Sequence, residues 1–166
     1  MVNLKSARRP LSGGMKVEIW LLEKVIPYAR NPRQIPQIAI DKVARSIQEF
    51  GFRQPIVVDE KGVIIVGHVR LLAAQELGLT EVPVHVATEL NAAQANAYRL
   101  ADNRTNEEAS WDMDALTLEL ANLKLDEFDL DLTGFNLDEI DELLAEQSER
   151  LTDEDEAPAV QRDRHH

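Results

Sequence analysis

The chain has 166 residues, no cysteine, four histidines and a formal net charge of −12, which suits one domain of ordinary size with an appendage. Without cysteine there are no disulfides, thiolate metal sites or thiol catalysis, as fits a cytoplasmic protein. No apolar run is long enough to span a membrane, and the first residues lack the apolar core of a signal peptide.

The charge is uneven. Residues 1–100 carry 13 Lys+Arg against 9 Asp+Glu, a balance of +4, whereas residues 101–166 carry 5 against 21, a balance of −16. The acidic whole argues against a nucleic-acid partner, but the first hundred residues alone do not. Residues 1–16 read as a flexible, mildly basic lead-in. Val17 to Leu22 alternates as a first strand. Pro27 and Pro32 then make residues 25–33 an extended, rigid loop. Ile40, Val43, Ala44, Ile47 and Phe50 share a face, which predicts a helix over 38–50 ended by Gly51. Residues 54–59 and 63–66 read as a hairpin turned at Lys61-Gly62. Beyond Gly67, Leu71, Leu72, Ala74 and Leu77 recur at helical spacing until Gly78 offers a C-cap. Residues 82–87 form another strand, which Pro83 places at an edge or at the strand's beginning.

From Asn91, a good N-cap, the pattern turns helical. One alanine-rich helix runs to about Glu108, a second spans 113–123, and Leu137, Ile140, Leu143 and Leu144 stripe a third. Trp20 and Trp111 read as packing residues. Residues 148–166 have little apolar content and four consecutive acids, Asp153 to Glu156, the pattern of an acidic disordered linker or tail. The predicted fold is α+β: a small mixed-sheet core over 17–90 and an acidic helical extension over 91–147 that packs on it.

The segment from Val63 to Gly78 carries the chemistry. A strand that ends in Gly67 and feeds a helix points free backbone N–H groups and the positive helix end at one spot, which also holds His68 and Arg70. Gly67, His68 and Val69 would offer N–H groups there, and the Arg70 guanidinium can hold a phosphate with two bonds. The same residues also fit an ordinary turn, with Arg70 paired to a carboxylate. His68 can donate to the anion or act as a general acid or base near neutral pH; it also fits a cap or a packed ring. No histidine-rich metal site is available, because two of the four histidines are His165 and His166.

Three boxes in order, Asn31-Pro32-Arg33, Gly51-Phe52-Arg53-Gln54-Pro55-Ile56 and Gly67-His68-Val69-Arg70-Leu71-Leu72-Ala73-Ala74, resemble the ParB/sulfiredoxin-type N-terminal domain. The form Gly-His-x-Arg-Leu-Leu-Ala-Ala is similar to ParB-like domains that precede phage and prophage DNA-modification methyltransferases. Leu100 to Arg104, Trp111-Asp112 and Leu132 to Phe135 extend the resemblance, which covers about residues 17–158. It implies a pocket for nucleotide or nucleic-acid phosphates lined by Asn31, Arg33, Gln54, Gly67, His68, Val69 and Arg70, and supported by Asp102, Asn103 and Arg104. It also implies a nucleotide (CTP or ATP) with Mg2+ as ligand, with DNA and a fused or associated DNA methyltransferase as partners. His68 and Leu71-Leu72 depart from the charged residues that partition proteins favour. The chain has no cysteine in the glycine turn for sulfiredoxin chemistry and no methyltransferase motif of its own.

The reading is therefore a phosphate-binding recognition or regulatory domain in DNA modification or phage DNA transactions. The alternative is a ParB-like nuclease or a nucleotide hydrolase or kinase using the same pocket. At −16, the second half is expected to repel duplex DNA and not to serve as the helix-turn-helix that follows this domain in partition proteins.

Overall fold

The computed structural model of the protein describes residues 15–154. The expected lead-in falls almost wholly outside them, as does the acidic stretch from 155 onward. Two compact units follow one another along the chain, one ending at Ala109 and one starting at Ser110.

The first unit contains strands β1 (Glu18–Leu21), β2 (Ile56–Val58), β3 (Ile64–Val66) and β4 (Glu81–Val86), with helices α1 (Gln37–Phe50), α2 (His68–Glu76) and α3 (Ala92–Glu108). The sheet order is β1-β4-β2-β3. β4 runs antiparallel to β1 (Ile19 opposite Pro83) and parallel to β2 (Ile56 opposite Val84), and β2 is antiparallel to β3. This is the expected mixed sheet, with one correction: β4 is an interior strand that starts before Pro83. Proline is tolerated there because pairing with β2 begins only at Val84, so its missing N–H interrupts no bond on that side.

The alternation of the strands decides the layers. Ile56, Val58, Ile64, Val82 and Val84 pack with Leu71 and Ala74 of α2, while Val57 and Ile65 pack with Ala95 of α3. α1 lies on the far side of α2 through Ile40 and Ala44 against Ala73. Helix α2 is thus packed on two sides. Ala73 and Ala74, both wholly buried, keep it thin enough to fit. Burying Leu71 alongside them stabilises the layer by about 1.5–3 kcal/mol.

Asn91 caps α3 through a reciprocal box with Gln94 (2.8 and 3.0 Å). The expected boundary at 90/91 moves accordingly: α3 belongs to the α/β unit, because its Ala95 and Arg99 are spent on the sheet.

The second unit contains α4 (Met113–Leu125), a short 3-10 turn at Leu130–Thr133 and α5 (Leu137–Glu154). Leu116, Leu120 and Ile140 form its core, with Phe135, Leu143 and Leu144 around them. Trp111 packs a tilted face on Phe135 at 5.3 Å between ring centroids but remains 65% exposed, less enclosed than its size suggested. Helix α5 runs on to Glu154, past the point where a disordered tail was expected to begin. Its last turns are polar but contain no glycine or proline, and Glu, Gln and Arg are good helix formers. Arg150 also bridges to Asp114 at 3.0 Å. No helix among the described residues is long and apolar enough to cross a membrane.

Candidate functional site: a cation-lined cavity at the α2 N-terminus

The turn after β3 determines the site. Gly67 takes φ 113°, ψ 26°, a left-handed conformation that reverses the chain directly into α2. It is the N-cap of α2, and having no side chain it leaves the first N–H groups of the helix unclaimed by a cap. A cavity of about 500 Å³ opens here. Its floor is the turn itself, with Val66, Gly67, His68, Val69 and Arg70. Asn31 and Arg33 come from the proline loop, Arg53 and Gln54 from the segment before β2, and Asp102, Asn103 and Asn106 from α3. Its remaining wall is mostly apolar, including Val43, Ile47 and Phe52.

Three guanidinium groups thus line the cavity against one carboxylate, Asp102, which suits an anion. Arg70 is held in place at two points. Its Nη2 donates to Gln54 Oε1 at 2.5 Å and its Nη1 makes a long 3.5 Å contact to the Pro55 carbonyl. Burial pulls its pKa down and the nearby Asp102 charge works the other way; an arginine so placed remains a cation. Gln54 therefore acts as the orienting acceptor for Arg70. Arg33 donates from Nη1 to Asn103 Oδ1 at 3.0 Å, and its own N–H goes to Asn31 Oδ1 at 3.2 Å.

His68 has one ring nitrogen committed. The backbone N–H of Tyr28 donates to its Nε2 at 3.2 Å, so that nitrogen carries no proton and the ring is neutral. Burial, and then the Arg99 charge, push its pKa below the ordinary histidine value, in keeping with that tautomer. What it can offer the cavity is an Nδ1–H donor.

Nine of the ten residues singled out from the sequence line this one cavity. Arg104 does not. It ion-pairs with Glu107 (3.1 Å) and Glu108 (3.0 Å) on an exposed face of α3, three to four residues along the helix. Arg104→Ala is accordingly expected to leave ligand affinity unchanged and to alter stability by no more than about 0.5 kcal/mol, as thermal melts and calorimetry would show.

Sequence reasoning had Arg53 in the second box but not as a lining residue, and it missed Ser46 and Asn106 there and Arg99 altogether. Asn103 and Asn106 sit one turn apart on α3, a spacing that could have flagged Asn106. Nothing local flags Arg99, a charged residue only 7% exposed.

Residues 12–104 match the ParB N-terminal domain, and residues 114–164 match the ParB-methyltransferase HTH domain. The ParB-like nuclease domain-containing protein YnaK of Escherichia coli is 37% identical over 84 residues, which is 51% of this chain and 97% of that protein. The probable chromosome-partitioning protein ParB of Campylobacter jejuni is 31% identical over 105 residues, 61% of this chain but only 35% of that protein. The chain therefore spans about a third of that partition protein's length. The C-terminally truncated chromosome-partitioning protein ParB of Caulobacter crescentus, solved complexed with CTP-gamma-S, aligns with a TM-score of 0.56 at 25% identity, covering 65% of this chain and 62% of that one. The match over 114–164 is to a helix-turn-helix domain of the methyltransferase-linked type, in the same segment whose charge set it apart from the helix-turn-helix of partition proteins. Net charge bears on what such a segment can touch, not on how it folds.

Proposed function

The chain belongs to the ParB N-terminal domain family, and from that premise we propose that it is a nucleotide-phosphate-binding recognition domain acting in DNA modification, attached to or working with a DNA methyltransferase. The observation that carries the reading is the uncapped α2 N-terminus opening into a cavity lined by Arg33, Arg53 and Arg70. Backbone N–H groups, a helix dipole and forked guanidinium donors converge there on one anion-sized space. The apolar wall from α1 gives a nucleoside a surface to lie on. The ligand of the Caulobacter relative, CTP-gamma-S, supports a nucleoside triphosphate.

Magnesium would arrive on the phosphates, with Asp102 and Asn106 as lining residues that carry side-chain oxygens for it. Among the described residues no cluster of three or more His, Asp or Glu side chains is placed to hold a metal on its own. The methyltransferase association is supported by the match over 114–164. From Ser110 onward the chain carries 4 Lys+Arg against 18 Asp+Glu. So acidic a segment suits a protein neighbour better than duplex DNA.

Calorimetry with CTP, ATP and ADP in magnesium tests the site. Micromolar binding of a triphosphate is expected, weakened about 10–100-fold in Arg70→Ala, the worth of charge-assisted hydrogen bonds of roughly 1.5–3 kcal/mol. If none of the three binds, the nucleotide reading fails.

A further inference from the structure

We infer that Arg99 and Tyr28 form a latch that positions the anion site. Neither lines the cavity; together they hold the proline loop, with its Asn31 and Arg33, against the Gly67 turn. The inference rests on the phosphate-site reading above and adds a positioning role to it.

The buried guanidinium of Arg99 has a partner at each nitrogen. Its Nε donates to the Ile64 carbonyl at 2.9 Å, Nη1 donates to Asn96 Oδ1 at 2.7 Å, and Nη2 lies 3.9 Å from Asp59 Oδ2. Its flat face lies 3.9 Å from the centroid of the Tyr28 ring, in the geometry of a cation–π contact. Burying a charge this way is a poor route to stability, since an apolar residue of similar size often does as well. The guanidinium does something an apolar side chain would not: it fixes Tyr28 by its ring.

Three consequences run from Tyr28 to the cavity. Its N–H donates to His68 Nε2, which sets the tautomer of the first residue of α2. Its carbonyl accepts from the N–H of Asn31 at 3.1 Å, closing the turn that carries Asn31 and Arg33. Arg33 then reaches Asn103, whose Nδ2 donates back to the Arg99 carbonyl at 3.0 Å. The loop is thus tied at both ends to the same turn of α3.

His68 reports on the latch without any ligand. The Tyr28 N–H bond favours the neutral ring, and the Arg99 charge opposes the imidazolium. Releasing Tyr28 removes the first influence and lets water reach the ring, so the His68 pKa should rise. The charged groups sharing its surroundings are Arg99 and Asp102 of α3, Arg70 of α2, and Arg33 and Arg53 from the loops.

The test uses the full chain as wild type, Tyr28→Leu, Tyr28→Phe and Arg99→Met. His68 is titrated by NMR in the free protein, and CTP with magnesium is titrated by calorimetry. Tyr28→Leu should raise the His68 pKa and weaken CTP by about tenfold or more, with a melting temperature close to wild type because Tyr28 is only half-buried. Tyr28→Phe, which keeps the ring, should match wild type in both, and Arg99→Met should weaken CTP as Tyr28→Leu does. If Arg99→Met does not fold, the Tyr28 pair decides alone. An unchanged His68 titration in folded Tyr28→Leu overturns the latch. Should wild type bind no nucleotide, the site reading fails while the His68 titration still decides the latch.

Discussion

Gly67→Ala is expected to abolish anion binding while the rest of the α/β unit stays folded. At φ 113° the backbone is in a region that L side chains avoid. A methyl group there would sit 3.3 Å from Arg70 Nη1, 3.3 Å from Ile56 Cγ1 and 3.4 Å from Ile56 Cα. Ile56 is wholly buried in the middle of the sheet and has no room to retreat. The end of the Arg70 side chain is the neighbour that can move, and moving it breaks its seat on Gln54. Backbone strain of this kind amounts to about 1–3 kcal/mol, so a lower melting temperature should accompany lost binding. Full affinity in a folded Gly67→Ala protein would show that the turn does not hold the ligand. The contrast with Arg70→Ala is useful, since that change removes a donor without straining the backbone.

Ile140→Ala is expected to destabilise the second unit by about 2–5 kcal/mol, the range for emptying a buried aliphatic site. Ile140 is 1% exposed and meets Leu116 and Leu120 across the α4–α5 contact. These three are the buried apolar residues of that unit among the described residues, and so small a core has little stability to spare. Hydrogen exchange should read the loss directly: amides of α4 and α5 should lose protection in Ile140→Ala. Wild-type protection in those helices would mean that something other than this cluster holds them.

Much of this architecture was legible because it is local. The periodicity from Ile40 to Phe50 gave α1, the box at Asn91 opened α3, and the β-branched run before Gly67 announced the strand-turn-helix on which the cavity is built. The candidate residues were legible as a set because the three boxes resemble a known domain and because Gly67, His68 and Arg70 lie within four positions of one another. Arg104 shows the limit. It belongs to the same box as Asp102 and Asn103, but 100° of rotation per residue turns it off the cavity and toward Glu107 and Glu108. The end of α5 shows another limit, because a polar run reads the same whether it is coil or exposed helix until something shows that no residue interrupts it.

The sequence by itself determined the order and kind of the elements, the strand–glycine–helix turn at Gly67 and the acidic bias of the second half. Those properties reside in neighbouring residues: φ preference, side-chain period and charge all act over a few positions. Only the tertiary structure decided that β4 lies between β1 and β2, that α3 belongs to the sheet and that the proline loop closes on the turn through Tyr28 and Arg99. The reason is physical. A strand's partner, and the burial of a guanidinium, depend on what the chain brings from 35 to 71 residues away, as from Ile64 to Arg99 or from Tyr28 to Arg99. No local preference encodes such a meeting; it is chosen by the packing of the whole unit.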